Sequence, residues 1–106
     1  MAEQEVDQYI SLTRQMNKTD VGIDFVQKLI EVWPQKYNLR RKLAETYAKL
    51  NQKEEALDQL NTIASAYLDE GETEKTVEIL QRMMALDPEH AGEYQLVVDR
   101  VRRQKR

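Results

Sequence analysis

Apolar residues recur three and four positions apart along almost the whole chain, the spacing that places them on one face of an α-helix. Val6, Tyr9, Ile10, Leu12, Thr13 and Met16 predict a first helix at 4–17. Val21, Ile23, Phe25, Val26, Leu29, Ile30 and Val32 predict a second at 20–33, with Thr19 or Asp20 as its N-cap and Pro34 as its stop, because proline disfavours helical geometry at Trp33. A third, at 36–50, carries Tyr37, Leu39, Leu43, Ala44, Tyr47, Ala48 and Leu50 on its stripe, with Arg40, Arg41 and Lys42 on its outer side.

Asn51 followed by Glu54 resembles a capping box and predicts a fourth helix at 53–70. Its stripe is Ala56, Leu57, Leu60, Ile63, Ala64, Tyr67 and Leu68, and Gly71 can supply a left-handed C-terminal cap. The fifth helix, 73–86, presents Val77, Ile79, Leu80, Met83, Met84 and Leu86. Asp87 and Pro88 form an N-cap with proline at the first helical position of the sixth, 88–103, whose stripe is Tyr94, Leu96, Val97, Val98 and Val101. Six helices joined by loops of a few residues predict an all-α domain of antiparallel neighbours spanning residues 1–106.

One pattern in this series is written twice, twenty residues apart. Leu43-Ala44, Tyr47, Asn51, Ala56 and Leu60 are answered by Ile63-Ala64, Tyr67, Gly71, Thr76 and Leu80. The second copy begins inside the first, so the fourth helix closes one unit and opens the next. Its single stripe therefore has to take the third and fifth helices near the same face. Other parts of the chain match at offsets of 34 and 54: Val26 falls on Leu60 and Leu80, and Pro34 on Pro88.

Composition removes whole classes of chemistry. The chain has 106 residues and no cysteine, which excludes disulfides, thiolate zinc sites and thiol catalysis. No apolar run approaches the ~20 residues that span a bilayer, and the Met1-Ala2-Glu3 start lacks the features of a signal peptide, which predicts a soluble cytoplasmic protein. Net charge is −3, unevenly spread: all nineteen acidic residues stand at or before Asp99, while Arg100, Arg102, Arg103, Lys105 and Arg106 make the end basic. Those cations complement a helix C-terminus, and with no aromatic residue among them nucleic-acid binding is the remote alternative.

His90, the only histidine, reads as a surface residue between Glu89 and Glu93. The run Asp69, Glu70, Glu72, Glu74 suits a helix start better than a calcium loop, and Met83 and Met84 fall on a core stripe. No serine or threonine has a base to activate it, and there is no glycine-rich phosphate loop. The expectation is a non-enzyme with no cofactor and no metal.

Leu/Ile-Ala-x-x-Tyr, a glycine or asparagine four residues on, a small residue five later and a closing Asp-Pro together resemble the tetratricopeptide repeat. The clearest copy is Leu60 to Pro88; residues 3–36, with Thr13 in place of the tyrosine, and 37–67, without the proline, are weaker ones. The resemblance implies an array of about three helix pairs, bent where the fourth helix is shared, that binds a peptide or partner protein on the face built by the first helix of each repeat. That face would be lined by Asp7, Ser11 and Arg14, by Asn38, Arg41, Glu45 and Lys49, and, from the shared helix, by Asp58, Asn61, Ser65 and Asp69. The lysine-and-asparagine set with which some relatives clamp a terminal carboxylate is missing, since Glu45 stands where asparagine is wanted. The second expectation is self-association through Trp33, Tyr37 or the outer side of the last helix.

Overall fold

The structure, a computed structural model, describes residues 3–104. The described residues form α1 (Glu3–Gln15), α2 (Thr19–Val32), α3 (Tyr37–Lys49), α4 (Lys53–Asp69), α5 (Thr73–Leu86) and α6 (Ala91–Gln104), with a 3-10 turn at Pro88–His90 and no strand. The chain is all-α, as its periodicity predicts.

Three of the five connections are the same turn. Asn17, Asn51 and Gly71 take left-handed backbone angles (φ 60°, 62° and 77°) just after α1, α3 and α4. In each, the next amide reaches back to a carbonyl in the last helical turn: Lys18 N to Thr13 O at 2.7 Å, Gln52 N to Tyr47 O at 2.9 Å, Glu72 N to Tyr67 O at 2.9 Å. This satisfies carbonyls that the helix end leaves unpaired. Gly71 is the cap that the sequence predicts. Asn51 is not: the predicted capping box does not form, the residue before α4 is Gln52, and it makes no side-chain capping bond. Asparagine tolerates the left-handed region, so Asn51 ends α3 instead of starting α4. Thr19 and Asp20 likewise lie inside α2, whose N-cap is Lys18. The other two connections contain Pro34 and Pro88, and the residues before them, Trp33 and Asp87, share nearly one conformation (φ −128°, ψ 69° and φ −131°, ψ 69°).

Consecutive helices pack on one another, and α4 packs along its length on both α3 and α5. The resulting body measures 46 × 29 × 18 Å. Its radius of gyration, 14.7 Å, exceeds the ~13 Å of a spherical domain of this length. The interior falls into two clusters. Val6, Ile10, Val26, Ile30, Leu39 and Leu43 form one, among α1, α2 and α3. Ala44, Leu60, Ile63, Ala64, Val77, Ile79, Leu80, Met83, Val98 and Val101 form the other, among α3 to α6. The seam is α3, where adjacent residues Leu43 and Ala44 face different clusters.

Several residues assigned to core stripes are exposed instead: Leu12, Met16, Val21, Val32, Leu50, Leu68, Leu96 and Val97. Most lie on α1, α2 or α6, or beside their ends. The first two helices and the last pack less extensively on their neighbours than α3 to α5 do, so only part of a stripe is covered. Met83 is buried and Met84 packs at the cluster margin, as expected.

Candidate functional site

Two clefts adjoin along neighbouring sides of α3. The first, about 270 Å³, runs between α1 and α3 and is lined by Asp7, Ile10, Ser11, Arg14, Lys42, Glu45, Thr46 and Lys49. The second, about 330 Å³, lies between α3 and α5 over Leu60 of α4. Ala44, Ala48, Ala85 and Leu86 make its walls apolar, with Arg41, Glu45 and Arg82 at the polar positions. Glu45 lines both.

Helical spacing explains the assembly. Asp7, Ser11 and Arg14 stand four and three residues apart on α1, and Arg41, Glu45 and Lys49 stand four apart on α3, so each set forms a row along one side of its helix. The small side chains of Ala44, Ala48 and Ala85 keep the second cleft open where larger ones would fill it.

Of the eleven residues assigned to a binding face from sequence, Asp7, Ser11, Arg14, Arg41, Glu45 and Lys49 line these two clefts. Asn38 sits one turn before Arg41 and accepts a hydrogen bond from its guanidinium at 3.0 Å. Asp58, Asn61, Ser65 and Asp69 are exposed on α4 but line neither cleft. α4 gives its buried stripe to α3 and α5, and only Leu60 reaches the second cleft, from below. Sequence reasoning omitted α5 from the face, and with it Arg82 and Ala85. Arg82 approaches Glu45 at 4.0 Å and Glu78 at 3.8 Å, joining α3 to α5. At the first cleft, Lys42 binds both oxygens of Asp7, at 2.7 and 2.8 Å.

A second polar cluster lies elsewhere. Asp87 is buried at 4% exposure, and its carboxylate accepts hydrogen bonds from Tyr94 Oη at 3.1 Å and from the His90 ring at 3.0 Å, with Lys53 Nζ 3.4 Å away. The sequence reading gave Asp87 a helix cap and His90 only exposed glutamates as company. Here the first turn after Asp87 is 3-10, the aspartate side chain makes no capping bond, and His90, though half-exposed, is its partner. The signal was present in the spacing, since His90 and Tyr94 follow Asp87 by one and two helical turns. Tyr37 also has a fixed place: its hydroxyl donates to Glu70, and its ring meets that of Tyr67 edge-on at 5.0 Å. Its hydroxyl and ring are therefore engaged within the chain, which leaves only part of it to the self-association surface expected of it. Trp33, by contrast, is exposed.

Ionisation follows from these contacts. The hydrogen bond to Asp87 raises the pKa of His90 above its usual 6.5, and the bond from His90 lowers that of Asp87 below 3.8. Burial, then the bond to Asp87, raises that of Tyr94, and the bond to Glu70 raises that of Tyr37. A raised histidine contributes stability that is complete below pH 6.5 and lost as pH climbs through its folded value. A lowered aspartate contributes stability present above pH 3.8 and lost as pH falls through its folded value. The melting temperature should thus fall on the alkaline side of 6.5. In His90→Gln the part of that decline owed to histidine should vanish; a melting profile unchanged by the substitution would contradict the assignment.

The described residues hold no group of three or more potential metal ligands, and no described helix is long and apolar enough to cross a membrane. Arg100, Arg102 and Arg103 are exposed along the last turns of α6, while Lys105 and Arg106 lie outside the described residues. No protein-family model, curated protein or solved structure matches the chain.

Proposed function

We propose that this chain is a protein-interaction module that binds a peptide or partner protein across α1, α3 and α5, and that it works in the cytoplasm without catalysing a reaction. The observation that carries this reading is the pair of adjoining clefts joined at Glu45. They provide a polar stretch and an apolar stretch in succession, the combination by which a groove fixes both the register and the affinity of a bound segment. The tetratricopeptide resemblance supports it, with one adjustment: the face runs over α5 and leaves out the outer side of α4. Recurrence of one turn after α1, α3 and α4 supports the overlapping of units at α4, since α4 enters α5 as α1 enters α2.

The test is capture from a native lysate with the wild-type chain, Arg41→Glu and Glu45→Lys in parallel, each checked for helical content by circular dichroism. A specific partner whose capture changes with charge reversal at either position is expected. Absence of any partner, or partners indifferent to both changes, would count against the reading.

Self-association is the second reading, favoured by Leu96 and Val97 lying exposed together on α6, at 67% and 41%. Light scattering separates the two. A mass that stays monomeric from micromolar to millimolar concentration removes it.

A further inference from the structure

We propose that the segment bound across α1, α3 and α5 is acidic and carries one aliphatic side chain between its carboxylates, an inference that rests on the binding reading above. The whole chain has a net charge of −3, yet the two clefts carry the opposite sign. Five cations line them, Arg14, Lys42 and Lys49 in the first and Arg41 and Arg82 in the second, with Lys42 held by Asp7. Only Asp7 and Glu45 oppose them among the lining residues, which leaves the face at +3. A positive cleft set in an acidic body concentrates field lines on itself and steers negative ligands to it.

The cations are also unequally committed. Arg14 and Lys49 make no ion pair among the described residues, and both line the first cleft. Arg82 is held only by carboxylates at 3.8 and 4.0 Å, and Arg41 by the neutral amide of Asn38. A ligand carboxylate therefore competes with no short, strong pair at any of these four. Of the two carboxylates that line the first cleft, Asp7 is tied at 2.7 Å to Lys42 and Glu45 lies 4.0 Å from Arg82.

The second cleft supplies the other half of the recognition. Ala44, Ala48, Ala85, Leu60 and Leu86 leave an apolar recess whose depth comes from the alanines, suited to a leucine-sized side chain. No aromatic side chain lines either cleft, which disfavours a single-stranded nucleic acid, whose bases need stacking platforms. The two clefts meet at Glu45, with centres separated by on the order of one helix spacing, about 8–10 Å. An extended peptide covers that in about three residues at ~3.3 Å each. The segment thus places a carboxylate at Arg14 and Lys49, an aliphatic residue about three positions along in the alanine recess, and a further carboxylate at Arg41 and Arg82.

The experiment is fluorescence anisotropy with the full chain and a fluorescein-labelled, C-terminally amidated peptide, Gly-Glu-Asp-Ser-Leu-Asp-Glu-Gly. Three comparison probes are the same peptide with serine for leucine, the same peptide with lysine for every acidic residue, and a uridine oligonucleotide. The acidic leucine peptide should bind at least about tenfold more tightly than each of the others, which corresponds to about 1.4 kcal/mol. Its affinity should fall with added salt. Lys49→Glu, exposed and unpaired, should weaken it by a similar factor, and Ala85→Phe, which fills the recess, should erase the preference for leucine over serine while leaving the charge preference. Equal binding of all probes, preference for the basic peptide or the oligonucleotide, or no binding of any probe overturns the proposal. If lysate capture succeeds and depends on Arg41 or Glu45 while the acidic leucine peptide is ignored, the face is a binding site for something else and only this inference falls.

Discussion

Replacing Leu43 with alanine is expected to cost about 2–5 kcal/mol, a large part of the ~5–15 kcal/mol that stabilises a domain of this kind. Leu43 is 1% exposed and belongs to the cluster that α1, α2 and α3 share, while its neighbour Ala44 faces the cluster of α3 to α6. The cavity would therefore open on one side of the seam. Urea denaturation should show the loss as a lower midpoint. Amide hydrogen exchange should show it as faster opening of α1 and α2 than of α4 and α5, because the second cluster keeps all its members. Ile63→Ala, in the other cluster, should produce the reverse order. Uniform acceleration across all six helices in both variants would mean that the two clusters unfold as one unit, contrary to this reading.

Gly22→Ala should destabilise the chain by about 1–3 kcal/mol, the usual cost of overpacking, even though alanine is the better helix former by about 1 kcal/mol. A Cβ on Gly22 would lie 2.5 Å from Thr13 Oγ1 and 3.5 Å from Thr13 Cβ, so α1 and α2 could not keep their present separation. Thr13 cannot easily move aside. It is buried, its side chain is β-branched and stiff, and its hydroxyl donates to Ile10 O at 2.9 Å. Removing that hydroxyl should relieve the clash, so Gly22→Ala combined with Thr13→Ala should be less destabilised than the sum of the single changes. A coupling of about 1 kcal/mol in a double-mutant cycle is the expected size. Stabilisation by Gly22→Ala alone would show that the helices simply part.

The same pair shows what the sequence made legible and what it did not. Periodicity located the helices because 3.6-residue spacing is a local property, and every predicted range overlaps an observed helix. It could not tell a middle helix from an end one, so Leu12, Met16, Leu96 and Val97 were assigned to a core that stops short of them. Thr13 looked like a weak match to the tyrosines at 47 and 67. Its smallness is what lets Gly22 approach, so the departure is a packing choice between α1 and α2. Asn51 was misread for a different reason: it stands midway in the three residues between the end of α3 and the start of α4, where an asparagine can serve either. Its alignment with Gly71 at the twenty-residue offset already favoured the left-handed ending that the backbone shows.

The candidate site was half legible. Rows at helical spacing on α1 and α3 are visible in the sequence, and six of the residues named from it line the clefts. The contribution of α5 was not visible, because the resemblance assigned the opening role to α4 and the position of Arg82 and Ala85 depends on where α5 lies relative to α3. The Asp87, His90 and Tyr94 cluster escaped because each residue has an ordinary local explanation, and only the burial of Asp87 shows that they act together.

Packing that runs mainly between successive helices also bears on how the chain reaches this structure. Contacts between segments close in sequence need little loop closure before they are rewarded, and helical proteins of this kind fold within microseconds to milliseconds. The cluster of Val6, Ile10, Val26, Ile30, Leu39 and Leu43 draws on nothing beyond α3. During synthesis it can close while α5 and α6 are still being translated, giving α4 a formed surface on which to dock as it emerges.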